Sequence, residues 1–459
     1  SLKLPHSTTL AVAKTQQPAA KGATYSEFPY QENRMGIASV DQSLALQQEW
    51  VRPEIEDLAL SASVLWKRFK STQKKDVSGR LARVPTMPSR GGKPRVANLD
   101  GGDLGLGSGP TTIPGQVTTT TLIMAWSYTK EAEYATDSDE KAIEDFATLT
   151  RSIAPKAFAD FMDTVIQGNG SNTLDTIVST VVTGSNITGF VVNNANFFLD
   201  DQDLDIWSAL GTATPVASVT IESTDILNNT IWLANPIPTS LGITAGYLLL
   251  VSGSPGQANT GVFGLRYYMV GTNTGNWLGI QRSAWAGKYL VPTLAVNGAL
   301  TPQVVRAIFS LVELSKGEEV IEGEGMFGHC NVDVRDAWEQ NALLVQRIDY
   351  NAAKGDTSED MLKRKAATTI GGRELLVNPR ALPGYLDILK EKNLFRIETV
   401  PTDFYDVAGQ TLFPLYGQSG GIAASLVFYM IWQGQMAIVQ SREGAFLSGI
   451  TIPTGLFGH

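Results

Sequence analysis

Residues 137–167 read DSDEKAIEDFATLTRSIAPKAFADFMDTVIQ, and this stretch decides the architecture. Asp137 with Glu140 three residues on is a helix-start arrangement. Ala142, Ile143, Phe146, Leu149, Ile153, Ala157, Phe158, Phe161, Met162, Val165 and Ile166 then recur at spacings of three and four, the stripe of an amphipathic helix. About 30 residues at ~1.5 Å each give a helix on the order of 45 Å, ended by Gly168-Asn169-Gly170 and missing one hydrogen bond at Pro155. A helix of that length serves as a strut.

Moving outward, residues 131–145 (EAEYATDSDEKAIED) hold the acids Glu131, Glu133, Asp137, Asp139, Glu140, Glu144 and Asp145 against Lys141 alone, a charge of −6. Residues 122–128 (LIMAWSY) alternate and are rich in large side chains, which predicts a strand. The stretch 70–121 before them is crowded with Gly and Pro and is too long for an ordinary connection inside a compact domain. With a strand bringing it back, it reads as a long hairpin-like arm. Between Lys67 and Arg95 lie ten basic residues, Lys67, Arg68, Lys70, Lys74, Lys75, Arg80, Arg83, Arg90, Lys93 and Arg95, against the single acid Asp76. This segment therefore carries +9 and leaves −18 to the remainder of a chain whose net charge is −9.

The N-terminal side offers two short helices, at 41–50 and from Pro53 through Phe69, preceded by a polar, aperiodic arm over 1–36. On the other side, 189–256 shifts to Val, Ile, Thr, Asn and Gly with turn signals such as Asn228-Asn229, which predicts an inserted β-rich module. Thr301-Pro302 opens a helix bearing Val304, Val305, Ile308, Phe309 and Val312, and Asn378-Pro379 is expected to open another through Leu389. Residues 423–432 and 436–440, joined at Gln433-Gly434, read as a buried hairpin.

Composition narrows the function. Charged residues make up 18 % of the chain against ~25 % in typical soluble proteins, so much of the surface is expected to be covered, and copies of the chain are the simplest cover. One cysteine, Cys330, excludes an intrachain disulfide framework, and zinc spacings are missing. No stretch approaches the ~20 apolar residues of a membrane span, and the start lacks a secretory pattern, so a chain made in the cytoplasm is expected. The acidic balance argues against nucleic-acid binding over the whole surface.

Few residues suggest catalysis. The histidines are His6, His329 and His459. His329-Cys330 followed by Gly417-Gln418-Ser419-Gly420-Gly421 has the order of a serine-protease signature, but Gln418 stands where an Asp is usual and Cys330 lacks a partner. His329 and Cys330 are expected to be structural bystanders. The glycine run 101–109 lacks the strand, helix and Lys-Ser/Thr pair of a phosphate loop, and Asp200-Asp201-Gln202-Asp203-Leu204-Asp205 lacks the Gly and terminal Glu of a calcium loop. No enzyme activity, cofactor or metal is predicted. The basic segment has no aromatic residue after Phe69 for base stacking, whereas the acidic start of the strut complements it, so the expected partner is a neighbouring copy.

Extended N-terminal arm, basic Gly/Pro loop returning by a strand, long strut helix, mixed central region and late strands follow one another in an order that resembles the major capsid proteins of tailed bacteriophages. The resemblance implies an α+β chain of the Hong Kong 97 type phage capsid fold with an inserted β-rich domain. On it, residues 1–60 correspond to the N-arm and short helices and 61–128 to the extended E-loop. Residues 129–170 correspond to the P-domain with its spine helix, 171–392 to the A-domain with the insertion at about 190–256, and 393–459 to strands returning to the P-domain. It further implies self-assembly into hexamers and pentamers of an icosahedral head enclosing double-stranded DNA, contacted non-specifically. Scaffold, portal and decoration proteins are implied as partners, with assembly in the host cytoplasm, a place in the virion and no membrane. An encapsulin-like compartment shell is the alternative within the fold. A carbohydrate-binding or hydrolytic surface protein built on the β-rich module is the alternative from another class.

Overall fold

The computed structural model describes residues 37–38, 64–72, 81–95, 105–136, 146–285, 287–317, 325–349, 369–416 and 422–452, all within the unit Gly36–His459. The expected N-terminal arm, the helix at 41–50, most of the helix from Pro53, the helix start at Asp137 and Glu140, and Gly417 to Gly421 lie outside the described residues.

The strut helix is described as Phe146–Val165, 20 residues with Pro155 inside. Ala154, Phe158, Phe161, Met162 and Val165 face the core, and Phe158 and Met162 are fully buried. Its floor is a six-stranded sheet around Ile422–Ile438, the longest strand among the described residues. That strand pairs antiparallel with Thr120–Thr129, from Ser425 opposite Thr129 to Gly434 opposite Thr120, and antiparallel with Leu394–Phe404 on its other side. Ile37–Ala38 and Lys70–Thr72 add parallel edges, and Phe413–Tyr416 covers the end. Trp66 meets Trp432 edge to face at 5.8 Å beneath the helix.

The late hairpin expected over 423–440 is instead this single strand. Gly434 is not a turn residue: a Cβ there would lie 2.6 Å from the Ile397 carbonyl oxygen and 2.7 Å from the Trp432 ring, so the glycine lets two strands and an indole close up.

A second six-stranded sheet is ordered Thr293–Gly298, Ala445–Ile450, Leu386–Lys390, Met326–Cys330, Arg373–Val377, Thr369–Ile370. The helix Pro302–Lys316 covers it as its sequence dictates. The Thr301 side chain accepts from the Val304 amide at 3.4 Å, Pro302 fills the first turn, and Val305, Ile308, Phe309 and Val312 are buried in a core of their own with Leu386, Ile388 and Leu447. The helix expected from Asn378-Pro379 is a turn into the strand Leu386–Lys390. Asn378 Oδ1 accepts from the Arg380 amide at 2.9 Å, which closes a local turn where an N-cap was expected.

The β-rich module is a closed six-stranded barrel of Thr173–Thr183, Asn186–Val192, Asp203–Trp207, Ala217–Asp225, Thr230–Pro238 and Leu248–Val251. It starts right after the strut, earlier than the compositional boundary near 190. Closure requires it, because Thr173–Thr183 pairs with both Asn186–Val192 and Leu248–Val251. Among the described residues no helix is long and apolar enough to cross a membrane.

Candidate assembly interface

The Gly/Pro-rich stretch forms a two-stranded arm in which Leu81–Ser89 runs antiparallel to Thr111–Thr118. Pro85 stands opposite Pro114, so neither can donate to a further strand, which protects an open ribbon from unwanted edge pairing. The body seats one face of the ribbon. The Gln116 amide donates to the Leu278 carbonyl at 2.8 Å, and the Thr86 and Tyr289 hydroxyls meet at 3.1 Å. Gly115 is needed for this approach, since a Cβ there would lie 3.0 Å from Leu278 Cβ. Trp277 stacks on Tyr289 at 4.6 Å to make the seat rigid.

The charges on and around the arm divide into two groups. Arg68 Nη2 meets Glu374 at 2.5 Å and its Nη1 lies 3.9 Å from Glu391, while Lys70 Nζ is 3.7 Å from Glu391. These two cations therefore work inside the chain, holding the foot of the arm to the second sheet. Lys67 and Arg83 are exposed, as are Arg90, Lys93 and Arg95 beyond the end of the outgoing strand. Lys74, Lys75 and Arg80 lie outside the described residues.

On the acidic side, the helix Lys130–Ala135 opens with Thr129 accepting from the Ala132 amide at 3.2 Å and places Glu131 and Glu133 at its positive end. Glu131 is exposed. Glu133 bonds Lys130 at 2.8 Å, and this hydrogen bond raises the lysine's pKa. Asp137, Asp139, Glu140, Glu144 and Asp145 lie outside the described residues. Among the described residues no ion pair joins the basic segment to Glu131 or Glu133 of the same chain.

His329 has a role that its sequence context did not reveal. Its Nδ1 lies 3.4 Å from Asp387 Oδ2 and its Nε2 lies 3.3 Å from Asn378 Nδ2. Asn378 Nδ2 also donates to Asp163 Oδ2 at 2.5 Å, and Asp163 Oδ1 accepts from the Leu65 and Trp66 amides at 2.8 and 2.7 Å. At the other end Arg266 Nη2 donates to both oxygens of Asp387, and the guanidinium stacks on Phe446 at 4.5 Å. One buried chain of bonds thus ties the foot of the arm, the strut helix and the second sheet together. The expectation that His329 is a bystander is corrected: the ring is fully buried and both nitrogens are engaged.

Burial raises the Asp163 carboxyl above its usual range despite its donors. Burial opposes ionisation of Asp387 as well, but Arg266 and His329 outweigh it and hold the carboxyl below that range. Cys330 lies in the second core, where burial pushes its thiol up to about 12, far from an activated nucleophile. The signal available in the sequence was Asp160 and Asp163, polar residues on the strut's apolar side, with Gln167 in the turn just after it. All three are buried, and Asp160 meets Arg380 at 3.3 Å. In the acidic run, Asp200, Asp203 and Asp205 accept from Thr224, Thr220 and Ser218 of the adjacent strand Ala217–Asp225.

No protein-family model matches the chain, and no curated protein matches it. Solved structures do. The capsid asymmetric unit of cyanophage A-1(L) is similar at a TM-score of 0.52 and 11 % identity, over 89 % of this chain and 99 % of that one. The capsid of the native GTA particle gives 0.45 at 10 % identity, over 94 % and 100 %. The SrpI encapsulin complex of Synechococcus elongatus PCC 7942 gives 0.43 at 8 %, over 90 % and 96 %. The match to the cyanophage subunit runs over nearly the whole length of both chains: this chain has the Hong Kong 97 type capsid fold.

Proposed function

We propose that the chain is the structural subunit of a closed shell, the major capsid protein of a tailed phage, forming hexamers and pentamers around double-stranded DNA. The observation that carries this reading is the capsid fold, shared with the cyanophage subunit over 89 % of the chain. A charged arm standing on a rigid seat supports it, because an exposed cationic ribbon has no evident use within one subunit. The role is structural and not catalytic: His329 and Cys330 are consumed by packing and hydrogen bonding. Assembly takes place in the host cytoplasm and the product is the virion shell. Scaffold, portal and decoration proteins are further partners, and packaged DNA is contacted non-specifically.

Within the shell, the arm residues Lys74, Lys75, Arg80 and Arg83 grip the acidic strut start of a neighbouring copy. Each exposed pair contributes only ~0–1 kcal/mol, but a shell repeats the contact many times. Electron microscopy of the purified protein tests the reading. Closed shells or capsomers are expected, and particles that stay monomeric at every concentration overturn it.

A further inference from the structure

A groove of about 820 Å³ runs between the outer half of the arm and the body, a volume in the range of small-molecule sites. Its lining gathers cations from separate segments: Arg90 from the arm, Lys288, Lys316 at the end of the helix Pro302–Lys316, and Arg442. Among the described residues Arg90, Lys288 and Arg442 have no ion-pair partner. The acid on the lining, Glu443, is spent elsewhere: its carboxylate meets Lys392 at 3.3 Å, Lys390 at 3.6 Å and the Asn393 amide at 2.8 Å. Two further lining side chains carry buried polar atoms that the fold leaves unsatisfied. The Trp277 indole Nε1 and the Ser441 hydroxyl have no hydrogen-bond partner among the described residues, although Trp277 is only 1 % and Ser441 only 5 % exposed. A buried donor without a partner is costly, and native interiors keep few of them. The walls are preformed. Trp277 stacks on Tyr289 at 4.6 Å, the Tyr289 hydroxyl meets Thr86 of the arm at 3.1 Å, and Arg442 Nε donates to the Gly287 carbonyl at 3.0 Å.

We infer that this groove is a binding site for a small polyanion of the phosphate class, neutralised by Lys288, Arg442 and Arg90 and hydrogen-bonded by Trp277 and Ser441. Chemistry selects the ligand. Lysine, arginine and indole nitrogens only donate, so the occupant must be rich in acceptors, and the surplus of positive charge requires it to carry several negative charges. A phosphate chain meets both demands. Burial selects its size: the Trp277 and Ser441 atoms are reached from within the groove, whereas a stiff DNA duplex lies across its opening. Because Arg90 belongs to the arm while Lys288, Ser441 and Arg442 belong to the body, a bound polyanion ties the arm to the body of the same subunit. The site stands on these residues alone and does not depend on the shell reading.

The test is calorimetric titration of the full chain with inorganic tripolyphosphate at physiological ionic strength, with ATP and a short DNA duplex as competitors. Saturable binding of one tripolyphosphate per chain is expected. Lys288→Ala with Arg442→Ala should weaken it about tenfold or more, since both charge-assisted bonds are lost. Trp277→Phe keeps a ring to stack on Tyr289 and removes the indole N–H, and should weaken binding about fivefold. Near-ultraviolet circular dichroism verifies that each variant is folded, and Ser441→Ala takes the place of Trp277→Phe if that variant is not. No saturable binding to the folded wild-type chain, or affinity that either the double variant or the folded donor variant leaves unchanged, overturns the inference. Displacement of tripolyphosphate by the duplex at equal phosphate concentration also overturns it and makes the groove a nucleic-acid contact. Equal affinity for ATP and tripolyphosphate supports the inference with the phosphate chain as the recognised part, and tighter binding of ATP supports it with a nucleotide as the ligand.

Discussion

Arg83 and Asp163 both carry charge, yet one stands exposed on the arm while the other is fully buried and takes hydrogen bonds from two backbone amides and one side chain. The interior network joins five segments far apart in sequence, so a lost partner there leaves groups stranded away from water. The arm's cations are solvated in the lone subunit, so losing them costs the subunit almost nothing. Stability and assembly are thereby assigned to different charges of one chain, and substitutions should separate them.

The largest effect on stability is expected from Arg266→Met. It leaves Asp387 buried beside a histidine with its strongest counter-charge gone, a loss of about 3–5 kcal/mol by urea unfolding. An unchanged midpoint would mean that the network is ornamental.

A pH series sharpens the picture through Asp163→Asn. The Asp163 carboxyl has a folded pKa raised above 3.8, so its contribution is full below that value and is lost as pH rises through the folded pKa. Asp387 works in the opposite sense: its folded pKa is lowered, so its contribution is present above 3.8 and is lost as pH falls through the folded value. The stability of Asp163→Asn minus that of wild type should therefore climb with pH just above 3.8 and then level off. A constant offset across that range contradicts the assignment.

Much of this division was legible in the sequence. The strut followed from its apolar spacing, the Pro302–Lys316 helix from its cap and proline, and the arm from an improbable length of Gly/Pro-rich chain closed by an alternating strand. The misreadings share a physical cause: a residue that signals a turn locally was used for a long-range approach. Gly434 sits in mid-strand to admit Ile397 and Trp432, and Asn378 spends its amide on Asp163 and His329. Likewise the barrel's first strands do not announce their partners, since closure depends on Leu248–Val251, some seventy residues on.

A smaller effect is expected from Cys330→Ser, about 1 kcal/mol for placing a hydroxyl in an apolar core, with assembly unchanged. In the wild type the buried thiol, pushed up to about 12, should react with a thiol reagent only on unfolding. Fast alkylation of the native protein would contradict its placement.

The smallest effect on the subunit, and the most direct test of why the arm is charged, belongs to the fourfold change of Lys74, Lys75, Arg80 and Arg83 to Glu. Thermal unfolding should stay within ~0.5 kcal/mol of wild type, as expected of charges that serve only contacts between copies. Shell formation, followed by sedimentation and electron microscopy, should be lost and then partly restored when Glu133, Asp139 and Glu140 are changed to Lys. Normal shells from the fourfold variant, differing only in DNA content or its salt dependence, would contradict the account and make the arm a DNA contact.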